Sequence, residues 1–91
     1  MGTENNHRIR VTICGQEYTV RGPASEAHLR EVAQLVDAVM QRVAAANPNL
    51  DLRRQAVLAA LNIADDLVRL QQEYRELLEL LDQQTRSSST R

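Results

Sequence analysis

Lysine, tryptophan and phenylalanine are missing from this 91-residue chain, and cysteine occurs once, as Cys14. A single thiol cannot form an internal disulfide, so no covalent staple is expected. Tyr18 and Tyr74 are the only aromatics, too few for a base-stacking platform. A formal net charge of -1 and a pI near 6.1 leave no basic footprint for nucleic acid. Every basic side chain is an arginine, which suits bidentate pairing with carboxylates. No apolar run reaches the roughly 20 residues of a membrane span or has the form of a signal peptide. The expected compartment is therefore the cytoplasm, with no membrane association. At 43% hydrophobic the chain is one small domain at most, and small domains bury a small fraction of their surface.

Glycine and proline are scarce enough to act as punctuation. Before Gly15, Ile9, Val11 and Ile13 alternate with Arg8, Arg10 and Thr12; after it, Tyr18 and Val20 alternate with Thr19 and Arg21. Period-2 alternation predicts two half-buried strands, a hairpin over 8–21. With Gly15 and Gln16 as the central loop residues, Gly15 supplying the positive φ, Ile13 faces Tyr18, Val11 faces Val20, Thr12 faces Thr19 and Arg10 faces Arg21. Gly22 and Pro23 stop the second strand, and Ser25 is the natural N-cap of a helix over 25–46 with Glu26 in its first turn. Leu29, Val32, Ala33, Val36, Val39, Met40 and Val43 give that helix one apolar face. Asn47 is expected in the left-handed position that ends it, and Pro48 prevents continuation.

Asp51 is the expected N-cap of a second helix over 51–85. Ala56, Ala60, Ile63, Leu67, Leu70, Tyr74, Leu77 and Leu81 recur at alternating steps of four and three, a heptad seam. A neighbouring stripe (Val57, Leu61, Ala64, Val68) widens the first half; Leu78 and Leu80 flank the seam further on, at positions where a two-stranded coiled coil usually carries charge. Such a helix runs roughly 50 Å, more than a hairpin and one helix can cover. The exposed seam, built on Ile63, Leu67, Leu70, Tyr74, Leu77, Leu78 and Leu81, reads as an oligomerisation surface, with a dimeric head and a second pairing at the distal end. The architecture is α+β: a head over 7–50, a long helix whose first half belongs with the head and whose second half is coiled coil, and disordered tails at 1–6 and 86–91.

The stretches "IRVTICGQEYTVRG", "HLREVAQLVDAVMQRV", "NPNLD" and "AVLAALNIADDLVRL" resemble, in that order and spacing, the ZapA family of bacterial cell-division proteins. The likeness covers about residues 9–82. It implies a ββαα head that dimerises and a long C-terminal helix that joins two dimers into an antiparallel tetramer. It also implies a partner, FtsZ, whose filaments such proteins crosslink at the mid-cell septum. FtsZ enters through this likeness alone; the residues themselves supply bivalency, since two like heads on a stiff rod can bridge two filaments.

No catalytic pattern stands out. Asp65 and Asp66 are adjacent and so point to different helix faces; His7 and His28 have no Cys or acidic residue at ligand spacing. No enzyme activity, metal or cofactor is expected. Arg8, Arg10 and Arg21 read either as a solvated sheet face or as a contact for an acidic partner beside the hairpin tip at Gln16 and Glu17. Arg53 and Arg54 fall in the first turn of the second helix, where the dipole disfavours cations, and so are further partner-binding candidates. A different class of function is a dimeric regulator or antitoxin that binds nucleic acid through an arginine-bearing β-ribbon; the acidic pI weighs against it.

Overall fold

The computed structural model describes the backbone of residues 6–89 and the side chains as far as residue 85. Strand β1 (His7–Ile13) and strand β2 (Gln16–Gly22) form a two-stranded antiparallel sheet, and helices α1 (Glu26–Ala46) and α2 (Leu52–Ser89) follow. The α+β class and the ββαα order are those expected. Helix α2 continues four residues beyond position 85, into the segment expected as a tail. Most of the expected N-terminal tail, and residues 90 and 91, lie outside the described residues. The chain divides into two units, residues up to Ala60 and residues from Leu61 onward.

In the first unit the hairpin turns one residue earlier than its glycine suggested. Cys14 and Gly15 are the loop residues, with φ of 51° and 77°. Two consecutive positive φ values are the mark of a type I′ turn, whose hand matches the twist of the flanking strands. The pairs are Ile13–Gln16, Thr12–Glu17, Val11–Tyr18, Arg10–Thr19, Ile9–Val20 and Arg8–Arg21. Each residue therefore meets a partner two positions from the expected one. A shift of two keeps every side chain on its expected face, because the pleat repeats every two residues. Opposed arginines remain, although the pair is Arg8 with Arg21 and not Arg10 with Arg21.

The apolar face of β1 packs on α1. Ile9, Val11 and Ala33 form a buried cluster, with Ile13, Val20 and Leu29 around it. Gly22 allows the end of β2 close to the helix: a Cβ there would lie 3.3 Å from Leu29 Cδ2. Val39, Met40, Val43 and Ala59 complete the buried set. Each of the larger buried side chains, valine, isoleucine or methionine, contributes up to about 1.5–3 kcal/mol.

Local signals set the helix ends. Ser25 Oγ accepts the His28 backbone N–H at 3.1 Å, and Asp51 Oδ1 accepts that of Arg54 at 2.9 Å, so both predicted N-caps form. Asn47 ends α1 differently from expectation. Its φ is -135°, outside the left-handed region, and both its backbone N–H and its side-chain amide donate to Val43 O, at 2.9 and 3.2 Å. The side chain supplies a second donor to that carbonyl in a conformation that needs no positive φ.

In the second unit, residues 61–89 are all helical, and no side chain between 61 and 85 is buried. The absence of Gly and Pro keeps the helix continuous. An Asp65–Arg69 ion pair at 2.8 Å spans one turn, and its exposure limits it to about 0.3–0.5 kcal/mol.

Candidate partner-binding and assembly surfaces

The arginines singled out in the sequence occupy three different places in the first unit. Arg10 stands on β1 and lines an open cleft of about 300 Å³ with Thr12, Arg30, Gln34 and Asp37. Arg21 lies near the end of β2, opposite Arg8. Arg53 edges a larger apolar cleft of about 590 Å³, walled by Ile13, Tyr18 and Val20 of the hairpin, Val36 and Met40 of α1, and Leu52 and Ala56 of α2. Arg53 and Arg54 together rim a third groove, about 350 Å³, floored by Leu50, Val57 and Leu58. Gln16 and Glu17 open β2 directly after the turn, both exposed, and Gln16 Oε1 accepts from the Tyr18 hydroxyl at 3.3 Å.

Reasoning from sequence missed two residues here. The Asp37 carboxylate ties the hairpin tip to α1: Oδ1 accepts the Cys14 backbone N–H at 2.8 Å, and Oδ2 accepts the Gln41 side-chain amide at 2.8 Å. A carboxylate across from Cys14 gives the left-handed backbone there a charge-assisted hydrogen bond. A signal did exist, since Asp37 stands between the core-facing Val36 and Met40, where an ionised group calls for a donor. Arg30 carried no such signal; it is one exposed charge among several on α1, and only the packing of β1 beside that helix brings it to the same cleft as Arg10.

The second unit holds the predicted seam. Ile63 is partly covered; Leu67, Leu70, Tyr74, Leu77, Leu78 and Leu81 are all exposed, Leu70 at 62% and Tyr74 at 64%. Leu80 adds to the same apolar strip at the distal end. Isolated exposed leucines are ordinary, whereas a contiguous strip repeated over several turns marks an interaction site. Among the described residues no group of three or more His, Cys, Asp or Glu is placed to hold a metal ion, and no helix is long and apolar enough to cross a membrane.

These features define a class: small α+β proteins in which a hairpin-and-helix head precedes a long helix with an open apolar seam. The family model described as "Cell division protein ZapA" matches residues 9–91. The chain is 42% identical over 81 residues to the cell division protein ZapA of Geobacillus sp. (strain WCH70), covering 89% of this chain and 93% of that one. It is 44% identical over 79 residues to the ZapA of Bacillus mycoides (strain KBAB4), covering 87% and 89%. A solved structure, a ZapA mutant dimer from Geobacillus stearothermophilus, superposes with a TM-score of 0.67 at 42% identity, covering 85% of this chain and 90% of that one. The chain belongs to the ZapA family of cell-division proteins, and cell division is its role.

Proposed function

We propose that this chain is a non-enzymatic crosslinker of FtsZ filaments, acting in the cytoplasm at the mid-cell septum to stabilise the division ring. It dimerises through its head, and two dimers join through the distal part of α2 into an antiparallel homotetramer. The uncovered seam of α2 carries this reading. Leu67, Leu70, Tyr74, Leu77, Leu78 and Leu81 leave in water a strip whose burial is worth about 25 cal/mol per Å². Only association can bury it. The apolar residues beside the heptad positions favour more than two helices at that end. The dimeric state of the solved relative and the open apolar cleft beside Arg53 support pairing at the head.

Partner contact is assigned to the head surfaces that carry Arg10, Gln16, Glu17, Arg21, Arg53 and Arg54. A tetramer carries two head pairs, and once one has bound a filament the other meets a neighbouring filament at high effective concentration. That is sufficient for bundling without chemistry. Sedimentation of polymerised FtsZ with and without the protein, alongside electron microscopy of the filaments, tests the reading. Co-pelleting and bundles are expected; filaments that leave the protein in the supernatant would overturn it. Charge reversal at Arg53 and Arg54 together should lower co-pelleting while the oligomer, followed by light scattering, stays intact.

A further inference from the structure

The sheet has two strands among the described residues, so β1 has one side without a strand partner among them. In a hairpin closed by a two-residue loop, the pair next to the loop exchanges both backbone hydrogen bonds, and bonded and non-bonded pairs then alternate. Ile13–Gln16 is the bonded closing pair, which makes Thr12–Glu17 and Arg10–Thr19 non-bonded pairs. The backbone N–H and C=O groups of Arg10 and Thr12 therefore point away from β2, to the free edge. That edge opens on the cleft of about 300 Å³ whose other wall is α1, with Arg30, Gln34 and Asp37. Neither Arg10 nor Arg30 has an ion-pair partner among the described residues. Asp37, the carboxylate lining the cleft, already accepts a hydrogen bond on each oxygen.

From this juxtaposition we infer that the cleft takes a short extended acidic peptide of the binding partner, added to the free edge of β1 as a third strand, its carboxylates between Arg10 and Arg30. The inference rests on the reading that the head binds a protein partner, and it names the kind of segment bound. Strand addition uses main-chain bonds for affinity and side chains for selection. The edge presents donors and acceptors at alternate residues, a spacing of about 6.6–6.8 Å that an extended peptide repeats and a small anion does not. A second copy of β1 is the wrong occupant: it carries Arg8 and Arg10, and like charges set opposite each other across strands destabilise the pairing.

The test uses the full chain and fluorescein-labelled peptides of alternating Glu and Val. Controls replace Glu with Lys, or carry N-methyl groups on alternate amides so that they cannot complete a ladder. The Glu peptide should bind and both controls should not. Arg10→Glu with Arg30→Glu should weaken binding by roughly tenfold or more, since two surface pairs become repulsions. In the unaltered chain, amide exchange at Arg10 and Thr12 should slow when the Glu peptide is added, with no change at Val11, whose amide is already bonded to β2. Equal binding of the Lys peptide, unchanged affinity after charge reversal, or unprotected Arg10 and Thr12 amides would each overturn the inference. So would a change of oligomeric state in the double variant, which would show the edge to be a contact between copies. If the chain binds the Glu peptide with edge protection yet does not co-pellet with FtsZ, the edge inference is upheld and the filament reading fails. If the charge-reversed variant co-pellets as well as the original, the filament reading holds and the edge inference fails.

Discussion

Between residues 6 and 60 seven hydrophobic side chains are buried, Ile9, Val11, Ala33, Val39, Met40, Val43 and Ala59; between 61 and 85 none is. Yet the second region is the richer in leucine, valine and isoleucine, with nine among its 25 residues against 14 among the 55 of the first. The difference lies in partners. In the first region, two strands and a helix come from one chain and cover each other. In the second, a single helix has only its own backbone, and a helix alone draws little stability from propensity, most of it coming from a packed face. The head can thus hold its shape through contacts within one chain, whereas the distal helix has no packed face of its own and the proposed assembly would supply one. A polar substitution should therefore act on folding in the first region and on association in the second.

The largest effect is expected from Val39→Asp. Val39 is 2% exposed, and an unpaired carboxylate there costs several kcal/mol, a large part of the 5–15 kcal/mol that holds a domain together. Circular dichroism melts should show the head unfolded or its melting point sharply lowered. A Val39→Asp chain that melts normally would erase the contrast between the two regions.

Leu77→Glu should be next, and of a different kind. The residue is 52% exposed in the single chain, so the head has no reason to unfold, while the charge would be buried at an apolar junction in the proposed tetramer. Light scattering should report dimers with most helicity retained. Those dimers should still co-pellet with FtsZ, more weakly, and should no longer bundle filaments. Bundling by a verified dimer would end the bridging mechanism even though family membership stands.

Asp37→Ala should cost about 1–3 kcal/mol, since it leaves the Cys14 N–H without its acceptor. Asp37→Asn keeps an acceptor oxygen and should recover part of the loss in chemical denaturation. Equal losses would mean that the carboxylate's charge, and not the hydrogen bond to the turn, is what counts.

Cys14→Asn should have the smallest effect, and of opposite sign. With φ at 51°, Cys14 occupies a region that Asn tolerates much better, and Asn-Gly is the favoured pair for a type I′ loop. A gain of about 0.5 kcal/mol is expected, of the size other backbone-compatible substitutions bring. A loss would show that the thiol makes a packing contribution at the hairpin corner.

Residues whose signals act over three or four positions were legible from the sequence. Ser25 and Asp51 cap their helices because a short side-chain oxygen there reaches the N–H three residues on. Ile9, Val11 and Ile13 alternate, and the pleat turns that alternation into a buried face wherever the loop falls. The loop lies one residue earlier than the position of its glycine predicts, because Cys14, and not Gly15, holds the first left-handed position. An Asp 23 residues away stabilises that unusual choice. At Asn47 an intrinsic preference for the left-handed region gave way to a side-chain bond to Val43 O.

By itself, then, the sequence determined the two strands, the two helices, their N-caps, the buried faces of β1 and α1 and the seam that α2 leaves open, because pleat and helix periodicity are properties of consecutive residues. That α2 meets the head through Ala59, and not through Val57 and Leu61, was decided by packing. Tertiary structure decided which residues form the turn and which charges share a cleft. Asp37 meets Cys14, and Arg30 comes to the cleft of Arg10, only because α1 packs along β1. That packing is driven by burial of Ile9, Val11 and Ala33, which is non-directional and carries no record of the polar groups it brings together.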